Sequence, residues 1–298
     1  MKLKPLLALL VLCAVIAGCD PGADRSISRV TQPAGPAAAA SSPAAASSTQ
    51  PVLVLGALAQ EIDHVQKALT DRRDMEVGGL KYVTGRLDGR DVIVARGGVG
   101  KVNAAMTATL LITRHRPSCV IFTGVAGGIH PDLLPGDIVL AEKTVQHDFG
   151  DVVGGKFSVK PTRNPITNKP NRLHLLADPD LVDVAEAAAG RIEFQPISTA
   201  SGQRQITVRR GIVATGDVFV ACRDKCQEIR KNCQADAVEM EGAAVAQVCL
   251  QLRVGALIVR SMSDCANEKA SADFNTFVGP AARNSATLAV EIIRSLPK

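Results

Sequence analysis

An α/β domain with a central sheet covered by helices on both faces follows from three features of the sequence. Short segments apolar at every position alternate with longer segments of helical periodicity. Several of the apolar segments end in glycine or in a carboxylate. No repeat of fixed period runs through the series. A strand with one wet face alternates polar and apolar residues, whereas a strand apolar throughout must be covered on both sides, which goes with a largely parallel sheet. The expectation is one three-layer domain with a mixed, mostly parallel sheet.

The elements read in order as follows. Val52-Leu53-Val54-Leu55 is a strand ending at Gly56, and a helical pattern runs from Ala59 to Leu69. Val92-Ile93-Val94-Ala95 is a strand leading into Gly97-Gly98-Val99-Gly100, followed by a helix from Lys101 to about His115. Cys119-Val120-Ile121-Phe122 precedes the loop Thr123-Gly124-Val125-Ala126-Gly127-Gly128. Asp137-Ile138-Val139-Leu140 and Ile212-Val213-Ala214 are further strands. Ala237-Val238-Glu239-Met240 leads into a helix from Gly242 to Leu252. Ala256-Leu257-Ile258-Val259-Arg260 is a late buried strand, and a helix from Ala281 to Leu296 closes the chain.

Composition narrows the function. Of 298 residues 46% are hydrophobic and 21% charged, which supports a large core and excludes global disorder. The net charge of +5 comes with no basic run, Trp is absent, and Tyr82 is the only tyrosine. Nucleic acid is therefore not an expected partner.

The first fifty residues read as an address and a tether. Lys2 and Lys4 precede an apolar run from Leu6 to Ala17 that is too short for a bilayer span, which needs about 20 residues. The run ends Ile16-Ala17-Gly18-Cys19, which resembles a bacterial lipoprotein signal, with residues 1–18 removed and Cys19 acylated; an ordinary signal peptide is the alternative. Asp20 resembles a signal for inner-membrane retention. Residues 19–50 then form a disordered Ala/Ser/Pro tether, and residues 51–298 the folded domain. The expected location is outside the cytoplasm, in the periplasm or extracellular, attached to the membrane through the lipid alone.

Six cysteines remain in the folded part: Cys119, Cys222, Cys226, Cys233, Cys249 and Cys265. An oxidising compartment permits disulfides, and Cys222 or Cys226 with Cys233, across a short helix, is the expected local pair. The C-x₃-C-x₆-C spacing without histidines speaks against a metal site.

In such folds ligands collect at the carboxyl ends of strands. Glu61 after the first strand, Glu239 and Glu241 around Met240, and Ser263-Asp264 after the last strand are the polar groups there. Gly97-Gly98-Val99-Gly100-Lys101-Val102 fails as a phosphate loop, because Ala95 and Val102 stand where glycine and a hydroxyl residue are required. It also lacks dinucleotide spacing, and no G-x-S-x-G exists.

The segments Gly56–Glu61, Gly98–Ala105, Thr123–Gly128, Pro135–Val139, His147-Asp148, Thr215–Val220, Val238–Ala244 and Val259–Asp264 occur in this order. Together they resemble the nucleoside phosphorylase/nucleosidase superfamily, most closely its 5′-methylthioadenosine/S-adenosylhomocysteine nucleosidases, from about Val52 onward and least between Gly150 and Arg209. The resemblance implies a nucleoside phosphorylase-like fold, no metal or organic cofactor, a small purine nucleoside as ligand, and a homodimer.

It also implies roles for individual residues. Asp264 would protonate purine N7, which requires a desolvated carboxyl of raised pKa. Glu61 would activate the attacking water. Glu241 would accept hydrogen bonds from the ribose diol, with Arg260 orienting it from behind. Met240 would lie against the sugar, and Phe219 and Phe274 would sandwich the base. Val220 would offer its backbone to the base edge, Ser263 would support Asp264, Val99 would contact the 5′ substituent, and Val125 would border sugar and water. Taken singly, Asp264 and Glu241 also read as helix caps and Glu61 as a first-turn carboxylate. Phe219, Phe274 and Met240 also read as core.

Two other functions compete. A phosphorylase would need arginines where the sequence has none between Gly56 and Glu61 and has Phe122 and Val125 elsewhere, so a phosphate dianion would lack counter-charge. A non-catalytic nucleoside-binding or storage lipoprotein would need neither Glu61 nor Asp264. Departures from the resemblance are Val125 in place of a small hydroxyl residue, Leu58 in place of Met, and Ala59-Gln60 in place of two acidic residues.

Overall fold

A computed structural model describes residues 50–199 and 202–297; the signal, Cys19 and almost all of the tether lie outside the described residues. The first elements are β1 (Val52–Gly56), α1 (Ala59–Ala68), β2 (Thr70–Val77), β3 (Leu80–Leu87), β4 (Arg90–Arg96), α2 (Lys101–His115) and β5 (Cys119–Gly128). There follow β6 (Ile138–Gln146), β7 (Gly150–Val153), β8 (Lys156–Val159), β9 (Leu175–Leu176), α3 (Pro179–Ala189), β10 (Ile197–Thr199) and β11 (Gly202–Arg204). The chain ends with β12 (Val208–Thr215), α4 (Arg223–Cys233), β13 (Ala237–Glu239), α5 (Gly242–Leu252), β14 (Gly255–Asp264) and α6 (Ala270–Ser295).

The main sheet has the order β13-β12-β6-β14-β5-β1-β4-β3-β2, with β9 paired to β6. It is mixed, as expected. β1 is parallel to β4 and β5, β14 to β5, and β12 to β6 and β13. β14 runs antiparallel to β6, and β2-β3-β4 form an antiparallel meander. A further antiparallel pairing of β13 with β5, Val238 opposite Gly127, closes β5, β14, β6, β12 and β13 into a ring.

β1 shows why the uninterrupted apolar segments form central strands. Val52 and Val54 belong to the core cluster that includes Ile62, Val65, Leu181 and Ile292 of α1, α3 and α6, whereas Leu53 and Leu55 belong to the cluster on the other face with Ala104, Leu111, Val245 and Cys249 of α2 and α5. All four β1 side chains are fully buried. At about 1.5–3 kcal/mol per buried aliphatic side chain, a polar residue at any of them would cost more than local propensity could return.

Three details depart from expectation. β5 does not stop at Phe122 but continues through Thr123–Gly128, paired to β14 and β13. α6 begins at Ala270 and runs through Pro280. Among the described residues all six cysteines are free, and no Cys222 or Cys226 bond to Cys233 exists. The helix between them does form, but its eleven residues rise about 1.5 Å each, which sets Cys222 and Cys233 well beyond disulfide reach.

Candidate active site

The ends of β1, β5, β13 and β14 converge on one cavity of about 160 Å³, lined by Glu61, Val99, Val125, Phe219, Met240, Glu241, Ser263, Asp264 and Phe274. Ala57, Leu58, Ala126, Gly127, Val238 and Glu239, to which the sequence reading gave no role in the site, complete the wall. Of the residues expected here, Val220 alone has its side chain elsewhere, in the cluster of Val145, Ala214, Cys226 and Ala266. That placement fits a residue expected to act through its backbone.

Glu61 is held at both oxygens. As the third residue of α1 it reaches back so that Oε2 accepts the Leu58 N–H at 2.8 Å, half of a capping box, while Oε1 accepts the Val125 N–H at 2.9 Å. It is 2% exposed. Burial pushes its pKa up, and the Arg260 charge and three backbone N–H groups oppose that rise. The first-turn carboxylate reading is thus half right, but the cap also aims the carboxyl group into the cavity.

Gly124 in β5 makes this approach possible. A Cβ there would stand 2.5 Å from Arg260 Nη1 and 2.6 Å from Glu61 Oε1. The glycine-rich stretch is therefore strand rather than turn, stripped of side chains where two charged groups cross it.

Asp264 ends β14 and is 2% exposed. Ser263 Oγ donates to its Oδ2 at 2.8 Å, and the Ala266 N–H to its Oδ1 at 2.7 Å. Burial raises its pKa, and those two donors restrain the rise. A carboxyl group that holds its proton further toward neutrality than an ordinary aspartate can act as an acid.

Glu241 precedes α5 but does not cap it. Glu239 does so instead: its Oε2 accepts the N–H groups of Glu241 at 3.0 Å and Gly242 at 2.7 Å. Glu241 Oε1 accepts the Gly100 N–H at 2.7 Å. Burial and then the Glu239 charge raise its pKa, with Arg260 opposing.

Arg260 departs from the expected partner. Its Nη2 lies 2.5 Å from Glu239 Oε2 and 3.7 Å from Glu241 Oε2, and its Nε donates to Glu239 at 3.2 Å. Thr215 Oγ1 takes the other Glu239 oxygen, and the guanidinium sits 4.3 Å over the Phe122 ring. Glu239 is thus the group Arg260 holds, and Glu241 feels the cation at longer range. The sequence placed Glu239 at the right strand end; only the folded sheet, with Thr215 of β12 beside Glu239 of β13 and Arg260 of β14 reaching it across the ring, reveals its work.

Phe219 and Phe274 depart as well. Their rings meet edge to face, centroids 6.0 Å apart at 85°, instead of standing parallel. Such a pair is favourable by about 0.5–1.5 kcal/mol, so a flat base enters between the rings only if one turns. Phe219 lies on an exposed loop and is 48% accessible, so it is the ring freer to turn.

Comparisons with known proteins identify the family. Residues 51–294 match the family model described as the phosphorylase superfamily. The chain belongs to that superfamily. It is 36% identical over 247 residues to a 5′-methylthioadenosine/S-adenosylhomocysteine nucleosidase of Mycobacterium bovis, a match covering 82% of this chain and 96% of the relative. The solved nucleosidase of Neisseria meningitidis, in complex with methylthio-immucillin-A, superposes with a TM-score of 0.70 at 34% identity, covering 83% of this chain and all of that one. The Colwellia psychrerythraea enzyme, in complex with adenine, gives a TM-score of 0.72 at 31% identity, with 83% and 96% covered. Within the superfamily the chain therefore falls in the nucleosidase family.

Proposed function

We propose that this protein hydrolyses the N-glycosidic bond of purine nucleosides of the 5′-methylthioadenosine/S-adenosylhomocysteine type, releasing adenine and the ribose derivative. The observation that carries this reading is the convergence of three buried carboxyl groups on one cavity, Glu61 from the first turn of α1, Glu241 from just after β13 and Asp264 from the end of β14. Asp264 gives a proton to purine N7 as the bond to the sugar breaks. Glu61 takes a proton from the water that attacks the anomeric carbon, and Glu241 accepts hydrogen bonds from the ribose hydroxyls. Ser263 steadies Asp264, Met240 and Val125 border the sugar, Val99 meets the 5′ group, and Phe219, Phe274 and the Val220 backbone hold the base. Arg260, through Glu239, supports this wall from behind.

Water rather than phosphate is the nucleophile in this reading. Among the described residues no Lys or Arg lines the cavity, and Arg260 behind it is committed to Glu239. The test is adenine release by residues 51–298 from methylthioadenosine, adenosylhomocysteine, adenosine and inosine. Release without phosphate supports hydrolysis, release only with phosphate makes the protein a phosphorylase, and binding without release makes it a receptor.

Two features of setting belong to the same proposal. The protein is a homodimer, supported by α2 and α5, which expose Val102, Met106, Leu250 and Leu252 and frame a groove of about 550 Å³ lined in part by Val102, Val248 and Leu252. Sedimentation of the soluble domain at micromolar concentration should give twice the monomer mass. The chain is also a lipoprotein anchored through Cys19 with its domain outside the cytoplasm. Incorporation of a labelled fatty acid that is lost in Cys19→Ala is the expected result.

A further inference from the structure

Within the loop that presents Gly100 to Glu241, Asn103 Nδ2 donates to the Val99 carbonyl at 2.7 Å, but the Lys101 N–H finds its acceptor in another segment. Gly100 caps α2 and has no side chain with which to do so. Instead Asp217, from the loop after β12, accepts the Lys101 N–H on Oδ1 at 2.7 Å. The Asp217 N–H in turn donates to Asp148 Oδ2 at 2.8 Å, and Asp148 Oδ1 receives Lys101 Nζ at 2.6 Å. Lys101 Nζ also reaches Gln146 Oε1 at 3.2 Å and lies 4.0 Å from Asp217 Oδ2. The four residues tie the start of α2 to the end of β6 and to the loop that carries Phe219.

We infer that Asp217 is a positioning residue for recognition of the ribose diol, acting as an N-cap supplied to α2 from a distant loop. The inference rests on the nucleosidase reading of the cavity. The chain of contacts is short. Asp217 fixes the Lys101 N–H, the preceding peptide presents the Gly100 N–H, and that donor holds Glu241 Oε1 at 2.7 Å. Because Phe219 lies two residues beyond Asp217, the same side chain joins the wall expected to hold the base to the wall expected to hold the sugar. Neither Asp217 nor Asp148 lines the cavity, so their effect has to pass through the loop.

The test compares Asp217→Ala and Asp217→Asn with the unaltered domain on methylthioadenosine and its 3′-deoxy analogue. Loss of one cap bond should raise KM for methylthioadenosine about tenfold while kcat changes much less. KM for the 3′-deoxy analogue, which lacks a hydroxyl for Glu241, should move by under about twofold. Asp217→Asn keeps the acceptor and should restore most of the loss. Amide hydrogen exchange at Gly100 and Lys101 should accelerate in Asp217→Ala but not in Asp217→Asn, a readout independent of turnover. Equal losses on both nucleosides, or unchanged exchange at Gly100, overturn the inference. An unaltered domain that releases no adenine overturns the nucleosidase reading instead, and the exchange data still decide whether Asp217 holds the loop.

Discussion

Asp264 carries opposite demands of stability and chemistry. Its carboxyl group is buried and its pKa is raised, so the ionised form is penalised in the folded protein. Above the folded pKa both folded and unfolded chains carry the charge, and the folded one bears the cost. Below the ordinary aspartate range near about 3.9 both are neutral and the cost is gone. Asp264→Asn should therefore abolish adenine release yet raise Tm at neutral pH, by a few degrees for about 1 kcal/mol, with the gain vanishing in acid. The amide can still accept from Ala266 N–H and donate to Ser263 Oγ, so the local geometry is retained. A lower Tm at pH 7 would show that the carboxylate stabilises the fold. Ser263 supplies the converse test. Its hydroxyl favours the ionised carboxyl group, so Ser263→Ala should raise the Asp264 pKa and move the alkaline limb of the kcat/KM profile to higher pH. A limb that stays or moves down rejects Asp264 as the acid.

The ring of strands makes β13 and β14 answer to one buried ion pair. Arg260 and Glu239 are each almost fully buried, and Glu239 additionally caps α5 and binds Thr215. Arg260→Met leaves that carboxylate uncompensated and should cost about 3–5 kcal/mol in urea unfolding. Adding Glu239→Gln should recover part of it, and an additive double mutant would show that the pair is not coupled. How legible the elements were follows from the same packing. β1, β4, β5 and β14 were readable because burial on both faces demands unbroken aliphatic runs. β2 was not, because Thr70–Val77 lies along the sheet edge with almost every side chain exposed. Asp88-Gly89, both at positive φ, forms the two-residue turn that joins β3 to β4. The beginning of α6 was hidden by Pro280, which the helix tolerates, and with it the reason Phe274 reaches the cavity.

At the scale of the whole molecule, four of the six cysteines among the described residues are part of the apolar core. Cys119, Cys226, Cys233 and Cys249 are buried, and burial pushes their thiols up to about 11 or, for Cys249, about 12. Of the described cysteines Cys222 alone is exposed, and Cys265 is half-buried. A thiol titration of the native domain should find one fast-reacting group, with the buried four appearing only on unfolding, and a reductant should leave Tm unchanged. Two or more thiols missing after denaturation would mean that disulfides form. Carboxylates at the ends of aliphatic strands marked where the candidate site would lie, but each singly also reads as a cap or a first-turn carboxylate, and their roles came from the resemblance of the eight segments taken together. The supports of the site left no such mark: Asp217, Asp148 and Lys101 meet only once three distant segments have folded together. The pairing of β13 with β5 sets an order in time. Val238 meets Gly127 across more than a hundred residues of intervening chain, and Asp264 and Phe274 follow later still. As the polypeptide leaves the ribosome, Glu61 and Gly100 emerge early but wait for the last quarter of the chain before there is anything for them to enclose. Recovery of activity after refolding should accordingly lag the return of helix and sheet, because long-range pairing is the slow step.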